Sequence, residues 1–168
     1  MILASSWRKV LLTSHVTSSV GWFGAVLAFL AVAIIGLSSS DAFTIRAAIV
    51  ALAWVGWYVI VPLAAAATFT GLLQGLLTPW GLWRHYWVIA KTAITVAAMA
   101  LLVLHMQPIT AAAGLASRDE RALSRLEGVR EQFVVQASAA AVALVIVIVL
   151  SVYKPKGLTA HGRRRQVG

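Results

Sequence analysis

Polar and apolar positions alternate along this chain in long blocks. Four apolar runs, 10–37, 43–73, 82–107 and 132–152, are separated by short polar breaks. About 20 apolar residues in a helix cross a bilayer. Each run meets or exceeds that length, and the 28 positions of the first predict tilt or ends lying in the interface. Short loops between such runs predict an all-α transmembrane four-helix bundle with up-down topology, one integral membrane domain over 1–168.

The breaks carry their own signals. Ser38–Asp41 reads as a tight polar turn, and Gln74–Gly81, with Thr78-Pro79 as its breaker, as a second. Gln107-Pro108 ends the third run and Lys154-Pro155-Lys156 the fourth, leaving a basic tail over 153–168. Ala111–Glu131 reads as a short amphipathic helix, lying on the surface or extending the fourth crossing. Ser117 and Glu120 have capping-box spacing there. Leu115, Leu123, Leu126, Val129 and Phe133 recur near helical spacing.

Within the runs, Pro62 predicts a kink one turn earlier, near Tyr58. Ala67, Gly71 and Gly75 form a small-residue face that admits a neighbouring helix. The first run opens with unusual polarity: Thr13, Ser14, His15, Thr17, Ser18 and Ser19.

Composition supports lipid as the solvent. The chain is 61% hydrophobic and 11% charged, against about 25% charged for a soluble domain. It has no cysteine, which removes disulfides, thiolate metal sites and cysteine nucleophiles. Arg8 and Lys9 precede an apolar run longer than the ~7–15 residues of a signal peptide, so a retained first crossing is expected.

The net charge of +9 is distributed unevenly. With four crossings, one side collects Arg8, Lys9, Arg84, Lys91, Lys154, Lys156, Arg163, Arg164 and Arg165 and no acid. The other side balances Arg46, Arg118, Arg121, Arg125 and Arg130 against Asp41, Asp119, Glu120, Glu127 and Glu131. The positive-inside rule predicts a multi-pass cell-membrane protein with both termini cytoplasmic. Anionic lipids, not nucleic acid, are the expected partners of the basic face.

Histidines are the candidate chemistry. His15 lies about 7–8 Å into the first helix, on nearly the same face as Trp22. His85 opens the third crossing, and His105 stands 20 residues on, ~30 Å away, so the two cannot share one metal. His15 and His85 share a side, where two imidazoles could clamp a haem iron or hold copper. Lys91 could meet a haem propionate or a lipid phosphate. His105 is a candidate outer site, with Glu131, Gln132 or Gln136 as neighbours.

Each has a plainer reading. His15 can be a polar contact between helices, His85 an interfacial residue, His105 a helix-end residue and His161 solvated. Trp80, Trp83 and Trp87 fit an interfacial belt, whereas Trp22, Trp54 and Trp57 either pack the bundle or line a pocket. No Asp or Glu lies inside a crossing, which disfavours proton-coupled transport. No zincin motif, phosphate loop or nucleophile elbow is present, and an enzyme is not expected.

His15–Gly24, HVTSSVGWFG, resembles the first helix of small bacterial four-helix membrane proteins of the copper-resistance-D-like group. Pro79–Lys91, PWGLWRHYWVIAK, is similar to the third-helix start of a related group of uncharacterised bacterial integral membrane proteins. The resemblance implies copper or b-type haem handling, with His15 and His85 as ligands. With no histidine on the second or fourth crossing, a two-haem, four-histidine arrangement is not expected. The sequence thus leads to one b-type haem near the cytoplasmic face, for electron transfer or redox sensing. A non-catalytic accessory or scaffold subunit, a homo-oligomer or the partner of another membrane protein, is the alternative, and copper handling ranks third.

Overall fold

A computed structural model describes residues 5–77, 82–118, 123, 126–155, 157–159 and 163. Its elements are α1 (Ser5–Ser38), α2 (Ala42–Val55), a π-helical turn (Gly56–Ile60), α3 (Val61–Leu77), α4 (Tyr86–Arg118) and α5 (Glu127–Tyr153). The segment Ala42–Leu77 acts as one crossing, so four helices are long and apolar enough to span a membrane. α1 packs on α2, α3 and α5, and α4 packs on the same three. The first and third crossings therefore occupy opposite corners of an up-down bundle. The chain is an integral membrane protein built as an all-α four-helix bundle.

The irregularity expected before Pro62 is present as the π turn. Val61 N–H bonds back five residues to Gly56 O, the wider ring of a π turn, immediately before Pro62. Gly56 also leaves room for Met106: a Cβ there would lie 2.5 Å from the Met106 Sδ and Cε. Trp57 Nε1 donates to Thr110 Oγ1 at 2.9 Å, tying the second crossing to the third.

The third helix does not stop at Gln107-Pro108. Pro108 sits inside α4, which continues to Arg118. The proline forfeits one bond, but Ile109, Ala112 and Ala116 are buried against the bundle and hold the helix beyond it. Residues 111–118 therefore extend the third crossing, with Leu115 facing outward and the two alanines inward. The fourth helix begins at Glu127, five residues before the expected start at Gln132. Glu120, the partner in the expected capping box, lies outside the described residues. Leu123, Leu126 and Phe133 are core residues, as their spacing predicts.

The turn between α1 and α2 is held by Asp41. Its carboxylate accepts from Thr44 N–H at 2.8 Å and from the Thr44 hydroxyl at 2.7 Å, capping α2. The Thr44 hydroxyl and amide hold the Asp41 carboxyl below its usual value of 3.8. A depressed value means the cap stabilises the fold above the ordinary carboxylate range. That stabilisation is lost as pH falls through the lower, folded value. Thr44 amide hydrogen exchange, corrected for intrinsic rates, is expected to lose protection on acidification in this protein but not in Asp41→Asn.

At the other end of the bundle the chain folds back on itself. Lys154 takes a left-handed conformation (φ 45°) and ends α5. Thr159 N–H donates to Arg84 O at 3.0 Å, Tyr86 N–H to Gly157 O at 3.3 Å, and His85 bridges Leu158. The second loop and the start of the tail thus share one end, alongside the N-terminal part of α1, where Gln74 Nε2 donates to Leu11 O at 3.1 Å. Arg84 and Lys154, grouped on one side from the sequence, thus stand at one end of the bundle, while Lys156, Arg164 and Arg165 lie outside the described residues.

Candidate functional site

The polar opening of α1 turns three of its side chains inward: His15, Ser18 and Ser19 are buried or half-buried, while Thr13, Ser14 and Thr17 face out. Ser18 satisfies its hydroxyl on its own helix, donating to Ser14 O at 2.8 Å. His15 instead reaches across to α3. Its Nδ1 lies 3.1 Å from Ala67 O and 3.1 Å from Thr70 Oγ1. A carbonyl can only accept, so Nδ1 carries a proton, and Nε2 is the nitrogen left for a ligand.

The small-residue face of α3 makes this approach possible. A Cβ on Gly71 would lie 2.9 Å from the His15 Cε1, inside contact distance. Gly75 similarly makes room for Leu82, at 2.7 Å from its Cγ. The face expected to admit a helix therefore seats an imidazole.

A cavity of about 70 Å³ opens beside that imidazole. All four crossings line it: His15, Ser19 and Trp22 from α1, Thr68 and Gly71 from α3, Lys91, Thr92 and Thr95 from α4, Leu144 and Ser151 from α5. Among the described residues, no acidic side chain lines it. Lys91 extends its ammonium over the Trp87 ring, with Nζ 5.0 Å from the centroid. Thr68 Oγ1 is buried there without a hydrogen-bond partner. A buried hydroxyl ordinarily finds one, so its isolation marks an unfilled polar position.

Three of the four residues expected to bind a cofactor, His15, Lys91 and Trp22, thus meet at one cavity. His85 does not line it. It sits in the paired segment before α4, where its carbonyl accepts from Val88 N–H at 3.1 Å and Ile89 N–H at 3.3 Å, and its ring lies 6.2 Å from Trp87. His15 and His85, expected as a pair, do not line one cavity.

His105 lines a second, larger cavity of about 390 Å³ between α1, α4 and α5. Its Nδ1 donates to Leu101 O at 2.7 Å. Gln136, one of its three expected neighbours, lines the same space, whose walls are otherwise apolar, mostly alanine, leucine and isoleucine, and include Ile60 of the π turn. Trp22 and Leu144 line both cavities.

The tryptophans divide differently from their expected grouping. Trp22 is buried and both packs the bundle and lines the cavities. Trp54 faces outward, stacked on Tyr58 at 5.1 Å, so it belongs to the lipid-facing surface. Trp83 is exposed as a belt residue would be, but Trp87 is buried beneath Lys91. Trp80 and His161 lie outside the described residues.

The sequence missed two features of the site. Gly71 carried a packing signal but nothing to link it to His15, and Thr68 is one threonine among many. Among the described residues, no group of three His, Cys, Asp or Glu side chains is placed to hold a metal ion. Comparison with protein-family models, curated proteins and solved structures gives no significant match to this chain.

Proposed function

We propose that this integral membrane protein binds one small anionic ligand between its four crossings, on His15, Lys91 and Trp22. The observation that carries the reading is a cationic side chain and an imidazole facing a shared cavity that no carboxylate lines among the described residues. An ammonium inside a bundle with an aromatic face but no carboxylate beside it in the cavity is costly, and a bound anion is the natural compensation. The partnerless Thr68 hydroxyl supplies a donor to the same ligand, and the bare Nε2 of His15 accepts from an O–H that the ligand carries. The same basic residues oriented toward the cytoplasm would place the site in the inner half of the bilayer.

A single b-type haem, for electron transfer or redox sensing, has weaker support. The cavity at His15 holds about 70 Å³, far below the ~300–1,000 Å³ of pockets for larger ligands. The cavity at His105 is larger but has no Lys or Arg on its walls to pair a propionate. Copper would meet one imidazole in either space. A role as scaffold needs neither cavity, and predicts that emptying them by mutation is harmless.

The double variant His15→Ala/Lys91→Met tests the reading. Wild-type protein, purified in mild detergent and analysed by native mass spectrometry, is expected to carry one bound anion. The folded double variant is expected to retain at most a tenth of that occupancy. Equal occupancy, or none in wild type, contradicts the proposal. A Soret band in the same sample that survives in the double variant would move the chemistry to haem elsewhere.

A further inference from the structure

Two adjoining cavities of opposite character meet at Trp22 and Leu144, which line both. The smaller offers His15, Lys91 and the unpartnered Thr68 hydroxyl. The larger, about 390 Å³, is walled almost entirely by hydrocarbon. Its volume comes from the alanine faces of α4 and α5, where Ala98 and Ala140 leave room that larger side chains would fill. Protein interiors seldom leave such space empty, because the lining atoms lose their contacts. Water does not stabilise a cavity so poor in polar partners.

We infer that the ligand is an anionic single-chain lipid, its head group on His15 and Lys91 and its chain in the alanine-walled cavity. This rests on the anion-binding reading above and adds the apolar half of the molecule. Trp22 and Leu144, the shared walls, contact the ligand where head joins chain. A head of phosphate type answers this set: its charged oxygens take the Lys91 ammonium and the Thr68 hydroxyl, and its remaining O–H donates to the bare Nε2 of His15. A chain answers the second cavity, which no head group alone would use. The walls of the two cavities thus match the two ends of an amphiphile.

The test uses full-length protein in an uncharged detergent, stripped of bound lipid, with ligand-induced shifts of the thermal midpoint as the readout. Four probes are compared: hexadecyl phosphate, inorganic phosphate, hexadecanoate and hexadecanol. The inference predicts that hexadecyl phosphate binds at least tenfold tighter than either inorganic phosphate or hexadecanol. Ala140→Leu, which fills the apolar cavity, is expected to weaken the amphiphiles at least tenfold and leave inorganic phosphate unchanged. Ala98→Leu on the facing helix repeats that test should the first variant fold poorly. Lys91→Met is expected to weaken every anion.

Inorganic phosphate binding as tightly as hexadecyl phosphate overturns the lipid inference and leaves the anion site standing, its ligand a free anion. Hexadecanol binding as tightly as the anionic chains, with Lys91→Met silent, overturns both. Absence of any shift with all four probes also overturns both.

Discussion

Replacing Arg130 by alanine is expected to lower the stability of the detergent-solubilised protein by about 1.5–3 kcal/mol, the usual value of a hydrogen bond to a charged group. Arg130 is buried at the start of α5, and its Nη1 donates to Gly36 O at 3.0 Å. Gly36 lies in the last turn of α1, where carbonyls have no partner within the helix. The guanidinium closes that turn from another crossing and sits at the negative end of the helix dipole. Truncation strands the Gly36 carbonyl in a buried setting and removes an apolar stem from the same contact. Arg130 Nε is itself buried without a partner, so removing the charge recovers part of the desolvation cost. The lost bond outweighs that recovery because the carbonyl stays buried. Arg130→Met, which keeps the stem, should cost less than Arg130→Ala. Thermal unfolding of the three proteins in one detergent measures the order, and a loss below roughly 0.5 kcal/mol would place Arg130 among ordinary surface residues.

Gly71→Ala is expected to destabilise the protein and to empty the site together. Helix propensity alone favours alanine by roughly 0.5–1 kcal/mol. The added Cβ would lie 2.9 Å from the His15 Cε1, so the ring must move. Overpacking costs about 1–3 kcal/mol, and shifting the ring also strains the Nδ1 bond to Ala67 O. The clash therefore wins. The sign should reverse in a His15→Ala background, where no ring remains to be displaced and the propensity gain stands alone. Thermal unfolding of the four proteins of this cycle gives the coupling. A Gly71→Ala effect unchanged by His15→Ala would show that the glycine serves helix packing and not the imidazole.

The crossings were legible because a bilayer imposes about 20 apolar residues on each, a constraint written directly in composition. Their ends were not. Pro108 signals a stop, yet buried Ala112 and Ala116 carry α4 past it, and alanine gives no directional signal in an alanine-rich chain. Arg130 reads as a loop charge until Gly36 O is found beside it. In the site, His15, Lys91 and Trp22 stood out as polar or aromatic groups deep in apolar runs. His85 stood out equally but is engaged by the main-chain pairing of 84–86 with 157–159, a contact between distant segments that no local pattern announces. The role of Gly71 follows from a side chain 56 positions away, so spacing within α3 could report only that something packs there.

An experimental density map of the protein in a lipid nanodisc bears most directly on the account. It should contain four crossings and, between the His15 ring and the Lys91 ammonium, density that belongs to no protein atom and reaches past Trp22. A map in which side chains fill that space, or in which the imidazoles of His15 and His85 flank one metal or haem, would contradict it.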